Sequence, residues 1–352
     1  MSVAAEHVHQ HGQEPSFTDP SCYHATLATL LKEHTPEADP AFVLGGTAGT
    51  DAELADGWVT VHDSLPTLCE TLRGFGYDVV SQPLDGNLDA LLEDMRDGRP
   101  VVAIADTFHL AYYWIDHGRA HAPHAVVLRA YNPADDTVRL TDPVDIVYFD
   151  DRVDVGTLIP ALSDTHVELS WLTVRPTRSA GVPVASWPGR FQSYAGSLTG
   201  AGGDRLSGVE LTQWLAGAID DVLSTLDRMR RPKRAPGADP ERDRVAGLLL
   251  GMWSYHHTLR WLERHLALVP SLAAAGQLDD ATRLEFDVAA DSIERASQDW
   301  LVARGLLTRS VVLSAVDRGR YRDEILHRLA EVTSAHLAAS DALRRLAGRS
   351  GW

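Results

Sequence analysis

The sequence predicts an α+β domain followed by an all-α helical bundle. Helical patterns precede strand patterns in the first half, whereas the second half is almost entirely helical in its periodicity. A stretch with two prolines and six glycines, but no sustained period, separates the halves. The 352 residues also exceed the chain length that is usually organised around a single hydrophobic core. We therefore expect an α+β domain over residues 1–176, a linker over 177–204 and the bundle over 205–352.

The first half contains three predicted helices and five predicted strands. Asp19 or Ser21 can cap the first helix, and Pro20 suits its first turn. Gly74 and Gly98 follow the second and third helices as stop signals. The predicted helices are Pro20–Lys32, Ser64–Arg73 and Leu88–Met95, and the predicted strands are Tyr77–Gln82, Val101–Ala105, Ala125–Tyr131, Thr137–Thr141 and Val167–Val174. Because the helices come first and the strands follow in hairpin order, the pattern favours α+β over a doubly wound parallel sheet.

The second half is predicted to be a bundle of about four or five helices. Ser207-Gly208-Val209-Glu210 is a capping-box pattern that opens a helix reaching about Met229. Apolar stripes of helical period continue over Glu241–Val269, Ala281–Gly305 and Arg309–Leu346.

The net charge of −17 lies in the first part of the chain. Residues 1–204 carry 11 basic and 29 acidic side chains, whereas residues 205–352 carry 21 and 20. This acidity disfavours nucleic acid as a ligand and favours a cationic or amine-bearing one. The alternative is that the charge only provides solubility.

The cysteine content and the N-terminus predict a soluble, cytoplasmic protein that does not bind membranes. Cys22 and Cys69 are too few for a disulfide framework, and the polar segment Met1–Pro15 lacks the apolar core of a secretion signal. No apolar stretch reaches membrane-spanning length. The N-terminal segment also carries three alternating histidines, His7, His9 and His11.

Cys22, His124 and Asp142 are the candidate catalytic residues. Cys22 lies at the predicted start of a helix, where unpaired N–H groups and the helix dipole favour a thiolate and stabilise a developing oxyanion. His124 opens one predicted strand and Asp142 closes the next, so a hairpin would place imidazole and carboxylate side by side. A nucleophile, a base and a residue that orients the base form a catalytic triad. The alternatives are a buried structural Cys22 and a turn-forming Asp142.

Several segments of the first half resemble a known family. The segments are Gly98–Asp106, Tyr112-Tyr113, His124–Asn132 and Val138–Pro143. A His-led strand, a turn and a strand ending in Asp-Pro resemble the pattern of papain-like, bacteriocin-processing cysteine peptidases. The chain also contains Ser21-Cys22-Tyr23-His24 and the glycine-rich segment Leu44–Gly49. With these segments included, it more closely resembles the acyltransferase family typified by butirosin biosynthesis protein H. The resemblance covers residues 15–175, and the C-terminal part matches in helical character.

The resemblance implies that residues 1–176 are a papain-like catalytic domain that uses no cofactor. The implied reaction is acyl transfer from an acyl-carrier-protein thioester to an amine of a small natural product, in antibiotic biosynthesis or other secondary metabolism. Cys22 would take the acyl group, His124 would move the proton, and Asp142 would hold the imidazole. The acidic first domain would suit an amine-bearing acceptor.

Carrier proteins are usually acidic, so a carrier partner implies a basic docking surface. The densest basic cluster is Arg228, Arg230, Arg231, Lys233 and Arg234, and a second comprises Arg344, Arg345 and Arg349. Whether a second protein subunit completes the site is left open by the sequence.

Further site residues are predicted around the triad. The candidate substrate-binding residues are Asp106, Tyr112, Tyr113 and Asp63. Papain-like enzymes usually carry an oxyanion-stabilising Gln upstream of the cysteine, at the position that Ser16 occupies here. Gln13 lies three residues further upstream, so Gln13 and Ser16 are the weak candidates for this role.

A metal site is not expected, although histidines and aspartates are dense between residues 106 and 124. His117 and His121 would share one face of a helix, a spacing that zinc ligands use. Gly118 and Pro123 break any such helix, and no cysteine lies nearby. The group comprises His109, His117, His121, His124, Asp106 and Asp116.

Two other functions fit the same pattern. The fold could catalyse intramolecular cyclisation or hydrolysis on a carrier-bound amino acid, which needs a base but no covalent cysteine. The chain could also be a non-catalytic papain-like scaffold or partner subunit, which the absence of Gln at position 16 favours. Activity that survives Cys22→Ala would identify the first, and an unreactive Cys22 would identify the second.

Overall fold

Antiparallel sheets, their accompanying helices and a helical C-terminal region confirm the α+β class. The computed structural model describes residues 21–47, 52–55, 57–61, 65–84, 88–96, 98–177, 186–200, 206–230, 240–273, 278–310 and 315–349. The helices are α1 Cys22–His34, α2 Ala41–Leu44, α3 Leu65–Gly74, α4 Leu88–Arg96, α5 Val155–Ser163, α6 Trp187–Thr199, α7 Gly208–Arg230, α8 Pro240–Ala273, α9 Asp280–Ser310 and α10 Ala315–Ala347. The strands are β1 Ala52–Ala55, β2 Trp58–Val61, β3 Tyr77–Pro83, β4 Val101–Asp106, β5 Pro123–Asn132, β6 Thr137–Asp142, β7 Phe149–Asp154 and β8 Ser170–Pro176.

The main sheet has the strand order β3-β8-β4-β5-β6-β7. Strand β4 is buried along its whole length, as its continuous apolar run predicts for a central strand. It pairs antiparallel with β5, Ala105 lying opposite His124, and β5 pairs antiparallel with β6, Val127 lying opposite Thr141. This register brings the beginning of β5 and the end of β6 to the same end of the sheet.

Strands β1, β2 and β7 were not predicted from the sequence. Strand β7 pairs with β6 at the edge of the sheet, and four of its six residues are charged. Charged residues are common on edge strands because they discourage further pairing. One of them, Asp150, accepts two hydrogen bonds from Arg139 of β6, at 2.8 and 2.6 Å. Strand β7 is therefore stabilised by cross-strand pairing with β6, which hydrophobic periodicity does not reveal.

The described residues form two compact units. The first contains the residues up to Leu30 and Ser81–Thr173, and the second contains Leu31–Val80 and the chain from Val174 onwards. This division differs from the expected boundary near residues 177–204, because the segment 31–80 belongs to the helical unit. Within that unit Ala52 and Val59, one from each strand of the β1–β2 hairpin, are buried in the same apolar core as the long helices.

Helix α6 lies within the stretch that was predicted to be a linker. Trp187, Phe191, Tyr194 and Leu198 recur at helical spacing and are buried. The glycines and prolines around this stripe concealed it, so the linker prediction was wrong for Trp187–Thr199. Residues 178–185 and 201–205 of the predicted linker lie outside the described residues.

The predicted capping box at the start of α7 is confirmed. The Ser207 hydroxyl accepts a hydrogen bond from the Glu210 N–H at 3.1 Å, and the Glu210 carboxylate accepts one from the Ser207 N–H at 2.8 Å. Among the described residues, none of the helices combines the length and the apolar character that a membrane crossing requires.

Two buried histidines of the second unit should make the protein less stable in acid. Burial lowers the pKa of His265 to about 4 and that of His336 to about 3. In the unfolded chain each side chain gains a proton below its ordinary pKa of about 6.5. The unfolded state therefore binds more protons as the pH falls. Between about pH 6 and 5, each histidine should reduce the free energy of unfolding by about 1.4 kcal/mol per pH unit.

Urea denaturation at stepped pH measures this dependence. His336→Gln should reduce the slope of stability against pH by the contribution of one histidine. His327→Gln, an exposed position on the same helix, should leave the slope unchanged. An unaltered slope in His336→Gln would show that this side chain is not kept neutral by the fold.

Candidate active site

Cys22 is placed in the first turn of α1. The Ser21 carbonyl accepts the first helical hydrogen bond, from the Ala25 N–H at 2.9 Å, so Cys22 begins the helix as predicted. The Thr26 hydroxyl donates to the Cys22 carbonyl at 2.7 Å and fixes this turn. The first N–H groups of a helix have no intrahelical acceptor, and the helix dipole favours negative charge near them. The half-buried Cys22 is the first residue of this helix terminus.

His124 and Asp142 form a buried hydrogen-bonded pair at one end of the sheet. The distance between His124 Nε2 and Asp142 Oδ2 is 2.7 Å. The Asp142 side chain is fully buried, and that of His124 is 4% exposed. The antiparallel pairing of β5 with β6 brings the two residues together, as the hairpin argument predicted.

The Asp142 carboxylate has partners on both oxygens. Oδ2 also accepts a hydrogen bond from the Tyr112 hydroxyl at 3.1 Å, and Oδ1 accepts one from the Val144 N–H at 3.1 Å. Burial, followed by the Asp142 charge, raises the pKa of Tyr112 well above its usual range, so this hydroxyl remains a donor. These bonds compensate for the cost of burying a carboxylate and fix its orientation towards His124.

His124 lies between Asp142 and Cys22. Burial alone would lower the pKa of His124, but the Asp142 carboxylate and then the Cys22 sulfur outweigh it and raise the pKa to about 10. The hydrogen bond from His124 to Asp142 raises the pKa further. Since Nε2 faces Asp142, the other ring nitrogen is the one available to the sulfur. An imidazole that stays protonated at neutral pH supplies the positive charge that a thiolate needs.

Tyr113 borders the same pair of residues. Its ring centroid lies 4.5 Å from that of His124, in a T-shaped arrangement. Together with Cys22 it packs against a small apolar cluster that includes Val144. Burial, followed by the charge of Cys22, raises the pKa of the Tyr113 phenol, which is therefore neutral under ordinary conditions.

The other sequence-predicted site residues fall into two groups. Gln13, Ser16 and Asp63 lie outside the described residues. Asp106 is fully buried at the end of β4, where its carboxylate accepts a hydrogen bond from the Phe108 N–H at 3.0 Å and lies 2.6 Å from His121 Nδ1. The substrate-binding roles of Asp106, Tyr112 and Tyr113 remain predictions.

Two neighbours of the His124–Asp142 pair were missed by sequence reasoning. Val144 supplies a backbone N–H, which no residue pattern reveals. Phe149 stacks on Tyr112 with ring centroids 4.4 Å apart and 15° between planes, and so supports the ring that donates to Asp142. The pairing of β7 with β6 places Phe149 opposite Asp142. Predicting β7 as an edge strand would therefore have identified Phe149.

The structure describes the second basic cluster but only part of the first. Arg231, Lys233 and Arg234 lie outside the described residues. The second cluster is paired with carboxylates: Arg344 with Asp341 at 3.5 Å, Arg345 with Glu285 at 2.9 Å, and Arg349 with Asp279 at 3.3 Å. Much of the charge of this second cluster is therefore compensated locally.

No protein-family model matches this chain, and no curated protein matches it.

Proposed function

We propose that this protein is a cysteine-dependent acyltransferase with a papain-like catalytic domain. The observation that carries the proposal is the buried His124–Asp142 hydrogen bond, with Cys22 at a helix start close enough to raise the pKa of that imidazole. A raised histidine pKa beside a cysteine at a helix start is the combination that activates a sulfur nucleophile. The proposed donor is a carrier-bound acyl thioester, and the proposed acceptor is an amine of a small natural product.

In the first half-reaction, the Cys22 thiolate attacks the thioester carbonyl and forms a carbon–sulfur bond. The bond to the carrier sulfur breaks, and the His124 imidazolium gives its proton to that leaving thiolate. The products are an acyl-Cys22 thioester, the carrier thiol and a neutral His124. Backbone N–H groups at the start of α1 are the proposed donors to the oxyanion, a role that does not require Gln13 or Ser16.

In the second half-reaction, the acceptor amine attacks the acyl carbon and His124 takes a proton from the nitrogen. The carbon–sulfur bond breaks, the amide leaves, and the Cys22 thiolate and the imidazolium are restored. Asp142 keeps the imidazole oriented and balances its charge in both directions. With water in place of the amine, the same steps give hydrolysis.

Intact-mass measurement tests this proposal. The protein is first treated with iodoacetamide at mildly acidic pH, and a second sample is incubated with an acyl-pantetheine thioester, with and without an aminoglycoside amine. We expect selective alkylation at Cys22 and an acyl adduct that the amine discharges. Cys22→Ala should abolish both signals. Cys69→Ala is the matched control, because Cys69 is buried in α3, and should change neither.

Each alternative predicts a different outcome. Conversion of a carrier-bound amino acid that survives Cys22→Ala would indicate cyclisation or hydrolysis by His124 without a covalent intermediate. Adduct discharge by water alone would indicate a thioesterase. Equal labelling of both cysteines, with no adduct and no turnover, would indicate a scaffold and overturn the proposal.

A further inference from the structure

A second group of histidines and aspartates in the first unit has the composition of a metal site. Asp106, His109, His121 and Asp164 each place one potential ligand atom within 4.8 Å of the other three. They come from the end of β4, the 3-10 turn Thr107–His109, the segment before β5 and the end of α5. We propose that these four residues bind one divalent transition-metal ion, with zinc the best match. This inference does not depend on the proposed acyltransferase activity.

The ligand set suits a tetrahedral ion of intermediate softness. Two imidazole nitrogens and two carboxylate oxygens are common ligands of Zn²⁺, whereas Mg²⁺ and Ca²⁺ favour sites made of oxygen alone. The two carboxylates carry a formal charge of −2, which the ion would neutralise. With four protein ligands the site would be closed, which is typical of a structural rather than a catalytic centre.

The carboxylates are already oriented for ligation. Asp106 Oδ1 accepts the Phe108 N–H at 3.0 Å, while Oδ2 lies 2.6 Å from His121 Nδ1. Asp164 Oδ1 accepts the His166 N–H at 2.8 Å, while Oδ2 lies 2.7 Å from His109 Nε2. Each carboxylate thus uses one oxygen to fix itself and directs the other at a histidine. Outer hydrogen bonds of this kind orient ligands in metal sites.

The His121 ring is held on both faces. It stacks on Phe108 at a centroid distance of 4.3 Å and on His166 at 3.9 Å, with interplanar angles of 10° and 17°. A ring fixed in this way loses little rotamer freedom when it binds an ion. Less binding energy is then spent on ordering the side chain.

The burial of Asp106 gives an independent reason to expect a cation. Its side chain is 0% exposed, and a buried carboxylate requires a positive partner or a proton. The hydrogen bond to His121 is the one hydrogen bond that Asp106 makes to another side chain among the described residues. A metal ion would take the place of that contact, and the ligand atoms, now within 4.8 Å of one another, would lie about 3.3 Å apart, the spacing around tetrahedral zinc. The required shifts are of side chains, not of strands.

An ion here would fix the segment that carries Tyr112 and Tyr113. That segment begins directly after the 3-10 turn with His109 and returns to the sheet after His121. The expectation of no metal had two grounds: Gly118 and Pro123 break the helix that would place His117 and His121 on one face, and no cysteine lies nearby. The structure instead assembles the ligands from separate elements, and Asp164 lies too far along the chain for spacing to suggest it.

Zinc titration of the full-length, tag-free protein tests the inference. His7, His9 and His11 are replaced by glutamine in every sample, so that the N-terminal histidines do not compete. After chelator treatment and dialysis, Zn²⁺ is titrated against a chromophoric chelator, and Co²⁺ is added separately as a spectroscopic probe. We expect one ion per chain, a higher melting temperature and the intense visible absorption of tetrahedral Co²⁺.

Matched substitutions locate the ion. His109→Ala and Asp164→Asn should each weaken Zn²⁺ binding by about 100-fold or more, and His327→Ala, an exposed histidine in the second unit, should not. Asp164→Asn preserves the side-chain volume, so it still tests the metal site if His109→Ala does not fold. Failure of the protein to bind Zn²⁺ or Co²⁺, or equal binding by all variants, would overturn the inference. Alkylation of Cys22, measured in parallel, reports on the proposed activity separately.

Discussion

Replacing His124 by glutamine should slow the alkylation of Cys22 by about 100-fold at about pH 6. The imidazole, with a pKa raised to about 10, is protonated throughout the neutral range and supplies a positive charge to the sulfur. Glutamine can hydrogen-bond at this position but carries no charge. A cysteine without such a neighbour, with an ordinary pKa of about 8.5, is less than about 1% thiolate at about pH 6. The second-order rate constant with iodoacetamide, followed against pH, measures the effect.

Two further variants make the test quantitative. Asp142→Asn removes the charge that outweighs burial at His124 but keeps the shape of the side chain, so its effect should be intermediate. Tyr113→Phe keeps the ring beside His124 and should change the rate only slightly. A wild-type rate in a folded His124→Gln variant would mean that the imidazole does not activate Cys22, and the proposed acyl transfer would lose its physical basis.

Replacing Gly45 by alanine should destabilise the second unit by about 3 kcal/mol or more. A Cβ atom at this position would lie 2.1 Å from the Trp261 carbonyl oxygen and 2.6 Å from His265 Cβ. Both atoms belong to or adjoin the backbone of α8, so neither can rotate away. The close approach, rather than an unusual backbone angle, is the reason for glycine, because φ at Gly45 is −79°. Urea and thermal denaturation measure the loss.

Gly217→Ala is the matched control for this experiment. Gly217 is exposed within α7, and a Cβ atom there meets no other atom within 4 Å. Alanine has the higher helix propensity, so this variant should gain up to about 1 kcal/mol. If Gly45→Ala melts at the wild-type temperature, the Gly45 segment does not approach the α8 backbone closely enough to exclude a Cβ atom.

Much of the candidate site was predictable because its signals are local. A helix start at Cys22 follows from the residues around it, and the hairpin between β5 and β6 follows from two apolar runs and one turn. The long helices of the second unit were predicted for the same reason, since their apolar stripes repeat over many turns. In each case the relevant energies arise from residues that are close in sequence.

Other features could not be predicted because they depend on contacts between distant segments. Tyr112 and Phe149 lie on different sides of Asp142 in the chain. Tyr112 reaches Asp142 through a hydrogen bond, and Phe149 lies opposite it only once β7 pairs with β6. The ligand group of Asp106 and Asp164 likewise requires the end of α5 to return to the end of β4. Charged β7 is a strand because β6 pairs with it, not because of its own residues.

The amino-acid sequence alone therefore determined the class of fold, the helical second half and the three residues proposed for catalysis. The tertiary structure decided that residues 31–80 belong to the helical unit, that α6 exists, and which side chains surround the triad and the metal-type cluster. The physical reason is the range of the interactions. Periodicity and capping act within one element, whereas burial of Trp187, the register of an edge strand and the convergence of ligands arise only when separate elements pack together.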